Sequence, residues 1–180
     1  MWKWTWGLPL MVLPFNALGD TVIENFENNP QARWGYVQDG VMGGVSQGQA
    51  ELIDTDKGSA VHLTGAVSTD NNGGFIQVRQ RLTDAWPADA SGLRITAKGN
   101  GEDYYVFLRT TGMARRWHSY RLTFPTSDDW DTVDLPFVDF NPSHAGMPPK
   151  LDPGQVIGIG LVAYGKDFEA DLTVTKIEMY

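Results

Sequence analysis

From residue 20 onward, apolar and polar side chains alternate with a period of two. Leu93, Ile95 and Ala97 are interleaved with Arg94, Thr96 and Lys98; Tyr120, Leu122 and Phe124 with Arg121 and Thr123; Phe168, Ala170, Leu172 and Val174 with Glu169, Asp171 and Thr173. Successive side chains of a strand point to opposite faces, so these runs predict half-buried strands. In the last run the phase slips, because Ile177 and Met179 fall in step with Thr175, which predicts a bulge or bend near Lys176. Further runs rich in β-formers span residues 21–26, 49–55, 60–67, 75–82, 104–110, 132–137 and 156–164. No stretch keeps a helical period for three turns.

Turn chemistry separates these runs. Asp54-Thr55-Asp56-Lys57-Gly58, Asp70-Asn71-Asn72-Gly73-Gly74, Lys98-Gly99-Asn100-Gly101 and Asp152-Pro153-Gly154 supply the residues that tight turns demand. About ten short strands at this spacing predict an all-β fold, a two-sheet antiparallel jelly-roll sandwich in preference to a small closed barrel. The Pro-rich stretch 141–153 reads as a loop over one end of that sandwich.

One segment departs from the strand pattern. Trp34 to Ser46 places glycines at 35, 40, 43 and 44 and a methionine at 42 where a plain strand would carry β-branched residues. Glycine reaches positive φ without steric cost, and a Gly-Gly pair admits close approach of another backbone or a ligand. The segment therefore predicts a specialised turn.

Composition narrows the class. With 42% hydrophobic residues among 180, the chain can bury roughly two-thirds of its unfolded surface in one core. It contains no cysteine, and at this size it needs no disulfide. The net charge of −8 weighs against a nucleic-acid or anionic-membrane partner, and Arg115-Arg116, the adjacent basic pair, reads as a solvated loop. Residues 1–19 differ from the rest: Lys3 is their one charge, and Gly7 to Leu18 is largely apolar but too short and too interrupted by Pro9 and Pro14 to span a bilayer. They read as a signal peptide, with Ala17 and Gly19 as the small residues before cleavage at Asp20. The expected product is a single exported domain, residues 20–180, periplasmic or secreted. The Trp2, Trp4, Trp6 alternation leaves a retained interfacial anchor as the alternative.

Trp34 with Asp39-Gly40-Val41-Met42-Gly43-Gly44-Val45-Ser46, Gly65-Ala66-Val67-Ser68, Asn71-Asn72-Gly73-Gly74-Phe75 and Gly99-Asn100-Gly101 leading to Tyr104, Leu108 and Arg109 closely resemble the complex I intermediate-associated protein 30 family. Tyr120, Phe124, Trp130, Leu135-Pro136-Phe137, Phe140 with Pro142, and Ile157-Gly158-Ile159-Gly160 continue the match. The resemblance implies a galactose-binding-domain-like jelly roll, shared with several carbohydrate-binding modules. It also implies a chaperone-like protein-binding role, because mitochondrial members assist assembly of respiratory complex I without catalysing a reaction. An exported chain would be separated from the matrix-side intermediates those members hold.

Catalytic readings of the motifs are weak. Gly44-Val45-Ser46-Gln47-Gly48 matches the G-x-S-x-G serine elbow, but an alternating strand follows where the elbow needs a helix. Gly40, Gly43 and Gly44 fail as a nucleotide phosphate cradle for the same reason, so no nucleotide cofactor is expected. His62, His118 and His144 lack ligand spacing, and no metal site is expected from them. Glu24 and Glu27 with Asp171 or Glu178 are the candidate oxygens for a structural Ca²⁺, against the simpler reading as solvated carboxylates. No close carboxylate pair on one strand face offers a glycosidase site.

Binding chemistry is better supplied. Tyr105, Phe107 and Arg109 share one face of their strand, with Trp117 and Tyr120 after a short turn. Aromatic planes stack on sugars or anchor protein contacts, and arginine adds directional donors. The alternative is that these aromatics fill the core. Asp39, Met42, Gly43, Gly44, Ser46, Asn71 and Asn72 are candidates at a loop rim, or serve their own turns. The expectation is a non-enzymatic module that binds a protein partner, with a glycan as the alternative ligand.

Overall fold

The computed structural model describes residues 20–180, so the expected leader lies outside the described residues. Among the described residues twelve strands run in chain order. They are β1 (Thr21–Glu24), β2 (Trp34–Gln38), β3 (Gln47–Thr55), β4 (Gly58–Val67), β5 (Phe75–Arg81) and β6 (Gly92–Gly99), then β7 (Tyr104–Thr110), β8 (Tyr120–Phe124), β9 (Asp131–Pro136), β10 (Asn141–Pro142), β11 (Val156–Tyr164) and β12 (Phe168–Met179). They form two antiparallel sheets. The first has the order β3-β4-β12-β6-β9 with β1 added beside β12, and the second has the order β10-β8-β7-β11-β5-β2. This is the all-β jelly-roll sandwich that the alternation predicted.

The expected phase slip in β12 is a bulge. Val174 pairs with Ala97 and Lys176 with Thr96, which leaves Thr175 as the extra residue. Its buried hydroxyl bonds the carbonyls of Ser59 at 3.0 Å and Lys57 at 3.3 Å. The slip returns Ile177 and Met179 to the face that Leu172 and Val174 occupy, so one long strand feeds the core along its whole length.

Between the sheets, Trp34, Ile76, Val78, Leu108, Ile159 and Leu161 of the second meet Leu63, Leu93, Ile95, Leu172 and Ile177 of the first. Interdigitation of two inner faces is the usual source of sandwich stability, since removing one buried leucine side chain costs about 2–5 kcal/mol. A polar tie crosses this core. Tyr104 Oη, on the second sheet, donates to Asn100 at 2.8 Å and accepts from the Asp171 amide of β12 at 2.8 Å. Burial pushes the Tyr104 hydroxyl up to about 12, the bond from the Asp171 amide opposes that shift, and the negative charges of Asp171 and Glu102 add to it.

Two elements were not anticipated. Residues 34–38, expected as part of a turn, form β2, with Trp34 and Tyr36 directed at the core and Gly35 outward. Asn141 and Pro142, expected as loop, pair with Tyr120 and Arg121 as β10. Both are edge strands, whose pairing is supplied by a neighbour distant in sequence and leaves little local periodicity.

Candidate binding site

The glycine-rich segment turns on one buried carboxylate. Asp39 is 0% exposed, and its Oδ1 accepts from the Ser46 amide at 3.1 Å. Its Oδ2 accepts from Ser46 Oγ at 2.5 Å, the Gly74 amide at 2.6 Å and the Phe75 amide at 3.2 Å. Burial opposes ionisation, but the bonds from the Ser46 hydroxyl and from the Gly74, Phe75 and Ser46 amides outweigh it and hold the carboxyl below its usual range. Asp39 thus ties the loop after β2 to the loop before β5. The glycines follow from this tie. Gly43 takes φ 92° to end the 3-10 turn Asp39–Met42, whereas a Cβ at Gly44 or Gly73 would collide with the Asp39 side chain.

This placement corrects several expected contacts. Asp39 and Ser46 are sealed inside, and Ser46 Oγ, which also accepts from the Ser68 amide at 3.0 Å, has no histidine partner. Neither is available as a ligand contact, and the strand β3 begins immediately after Ser46. Gly44 lies against the Asp39 carboxylate instead of receiving a ligand. Tyr120 is 2% exposed, with its hydroxyl on the Pro148 carbonyl at 2.9 Å, so it fills the core. Asn71 and Asn72 are exposed but serve their own turn, both at positive φ. Met42 is exposed beside Val41 and Val45. The oxygens proposed for Ca²⁺ do not converge: Glu24 is buried and held by Arg33 and by Trp34 Nε1 at 2.8 Å, while Asp171 pairs with His62 at 2.8 Å. Among the described residues no three His, Asp or Glu side chains gather at one point.

Tyr105 and Arg109 do lie on an outer face. In β7 the buried residues are Tyr104, Val106 and Leu108, which directs Tyr105, Phe107 and Arg109 away from the core. Strand register then assembles their neighbours. One row runs Gly35, Arg79, Gly160, Phe107 and Arg121 across five strands; a second runs Arg81, Gly158 and Arg109; a third runs Gln77, Val162, Tyr105 and Thr123. Tyr105, Phe107 and Tyr164 form an edge-to-face triad with ring centroids 5.4–5.8 Å apart. The Arg121 guanidinium lies 4.3 Å from the Phe107 ring centre and 4.8 Å from that of Tyr164, while its Nε donates to Ser119 at 2.9 Å. Gly158 and Gly160 add no side chain of their own to this face, and both are buried beneath their neighbours, with Gln77 Oε1 lying over Gly160.

Trp117 is 55% exposed on the β7–β8 loop, with the Arg115 guanidinium 5.8 Å from its ring. Beside it, His118 stacks on His144 at 4.7 Å, and partial desolvation, His144, Arg115 and Arg109 hold its pKa below the ordinary histidine value. The sequence reading missed Gln77, Arg79, Arg81, Arg121 and Tyr164 as members of this face. Gln77, Arg79 and Arg81 already alternate with Ile76 and Val78 in the sequence; which strand they would flank was the missing datum.

The profile of Complex I intermediate-associated protein 30 (CIA30) matches residues 24–174. The chain belongs to that family. Among curated proteins no sequence relative matches. Solved structures similar to this CIA30-family chain include the family 11 carbohydrate-binding module of cellulase Lic26A-Cel5E from Clostridium thermocellum, with a TM-score of 0.75 and 15% identity over 91% of this chain and 95% of that one. A family 11 module from Clostridium thermocellum in complex with a β-1,3-1,4-mixed-linked tetrasaccharide also has a TM-score of 0.75, at 16% identity, with 91% and 96% covered. An exo-β-agarase is similar at a TM-score of 0.60 and 9% identity, over 89% of this chain and 25% of the agarase. At these identities the likeness establishes the fold that the CIA30 family member shares with carbohydrate-binding modules.

Proposed function

We propose that this CIA30-family protein is a non-catalytic module that binds a glycan on the outer face of its second sheet. The observation that carries this reading is the juxtaposition on one outer face of the Tyr105, Phe107 and Tyr164 rings with the donors of Gln77 and Arg121. Sugar rings present apolar C–H faces flanked by hydroxyls, so aromatic walls with polar neighbours match them. The mixed-linked tetrasaccharide held by a module of the same fold supports the same class of ligand. Export through residues 1–19 would place the protein where such glycans occur, and N-terminal sequencing of the mature protein tests that part.

Titration calorimetry with lichenan, a neutral mixed-linked β-glucan, and with acidic polysaccharides tests the reading. Saturable binding of at least one polysaccharide is expected, weakened about tenfold or more in Tyr105→Ala. Gly160→Val supplies a second probe, since its Cβ would lie 3.1 Å from Gln77 Oε1 and 3.6 Å from Val162, beneath the outer-face side chains and on the side away from the core, where it would displace Gln77. It should keep the fold and lose binding. No saturable binding to any polysaccharide at millimolar sugar would remove the glycan reading.

A protein partner is the second reading. Val41, Met42 and Val45 are 75%, 57% and 46% exposed on the signature loop, an apolar rim that family membership makes a candidate contact. Crosslinking in the native compartment that recovers only the protein itself would count against it.

A further inference from the structure

Charge is divided between the two sheets in a way that net charge conceals. The six strands β10, β8, β7, β11, β5 and β2 carry Arg79, Arg81, Arg109 and Arg121 and no aspartate or glutamate. The strands of the other sheet carry Glu24, Glu51, Asp54, Asp131, Asp134, Glu169, Asp171 and Glu178 against Arg94, Lys98 and Lys176. A chain of net charge −8 thus presents one sheet with cations alone. The β7–β8 loop adds Arg115 and Arg116.

These cations are not neutralised by the protein. Among the described residues, every ion pair uses Arg33, His62, Arg94, Lys166 or Lys176 as its cation, and none uses an arginine of this sheet. Arg109 Nε is buried without a hydrogen-bond partner. Desolvation, then the positive charges of Arg79, Arg116 and Arg81, lower the Arg109 pKa from its ordinary value. Like charges gathered on one face are unfavourable unless a partner compensates them. Arg81 and Arg109 face each other across Gly158, two strand spacings or about 9.6 Å apart, with no side chain between them.

We propose that the glycan bound on this face is acidic, with carboxylate or sulfate groups seated among Arg79, Arg81 and Arg109 and sugar rings against Tyr105, Phe107 and Tyr164. This rests on the glycan reading above. Arginine suits the task because its planar donors pair two at a time with carboxylate or sulfate oxygens. Tyr105 and Tyr164 lie toward the opposite ends of β7 and β11 from Arg109 and Gly158, with Phe107 and Arg79 in one row between them, so the glycan would cross from a stacking subsite to a charged one. An acidic protein segment would satisfy the arginines but has no equivalent use for the ring triad.

Calorimetry with polygalacturonate, carrageenan, lichenan and poly-L-glutamate, in 20 and 300 mM NaCl, separates the outcomes. Either polygalacturonate or carrageenan should bind at least about tenfold more tightly than lichenan, and whichever wins names the anionic group. Added salt should weaken that binding and spare any lichenan binding. Arg81→Gln with Arg109→Gln should lose about tenfold or more on the acidic polymer; Lys57→Gln, in the turn between β3 and β4 of the other sheet, should not. Thermal unfolding establishes that each variant is folded, and Arg79→Gln serves where the double variant is not. Equal or tighter binding of lichenan would overturn the charge inference and leave the glycan reading intact. No polysaccharide binding would remove both. Poly-L-glutamate bound as tightly as the polysaccharides would also overturn it, pointing to a peptide partner.

Discussion

Replacing Asp39 with alanine should unfold much of the stability of this protein without touching its ligand face. The substitution removes the acceptor of three backbone amides, those of Ser46, Gly74 and Phe75, and of the Ser46 hydroxyl. The hydroxyl has a second acceptor in the Ser68 carbonyl at 3.2 Å, so the amides dominate the loss. A buried donor left without a partner costs about 1–3 kcal/mol, and relief of the carboxylate's own desolvation offsets part of the total, which puts the net near 4 kcal/mol. For a chain of this size that is a fall in Tm of about 8–16 °C. Guanidinium denaturation followed by tryptophan fluorescence reads it directly. Ser46→Ala, which leaves all three amides bonded, should cost only about 1–2 kcal/mol. The pH dependence has a defined sign. Because the folded carboxyl titrates below its unfolded value, its stabilisation is full above the unfolded pKa and is lost as pH falls through the folded one. Asp39→Ala should therefore be less acid-sensitive than the parent. A loss under about 1 kcal/mol at unchanged m-value would refute the account of Asp39 as the pin between the two loops.

Tyr104→Phe should cost about 1–2 kcal/mol, because the Asp171 amide loses its acceptor. Since the folded Tyr104 pKa, about 12, exceeds the unfolded value, its share of stability is full below about pH 10 and is lost as pH rises toward 12, so the variant should show a shallower alkaline decline in denaturation midpoints. Glu24→Ala should cost about 3 kcal/mol in calorimetric unfolding, since it strands Trp34 Nε1 and the Phe26 amide as well as Arg33. Arg33→Ala leaves those two bonds in place, and an equal loss would show that the ion pair alone matters.

The reasons some features were legible in the sequence are local. A period of two reports which residues of one strand share a face, and that is a property of the backbone pleat alone. It was enough for ten of the twelve strands, for the bulge beside Lys176 and for placing Tyr105 and Arg109 on one strand face; that this face is the outer one followed only from the packing of the two sheets. The signature segment identified the family, yet its purpose was hidden, because Asp39 binds amides at residues 74 and 75, some thirty-five positions away. Its two glycine contacts, at 44 and 73, make sense only once that carboxylate stands between them.

Pairing between distant strands settled the rest. Nothing in the run Phe75 to Arg81 indicates that Arg79 and Arg81 will stand across a glycine strand from Phe107 and Arg109; β11, eighty residues further on, has to insert between them. The same insertion segregates charge, leaving arginines on one sheet and most carboxylates on the other within a chain that is acidic as a whole. Local periodicity determined ten of the twelve strands and with them the sandwich, and the signature segment determined the family. Register, which depends on how two inner faces pack, decided which side chains meet and so where a ligand can sit.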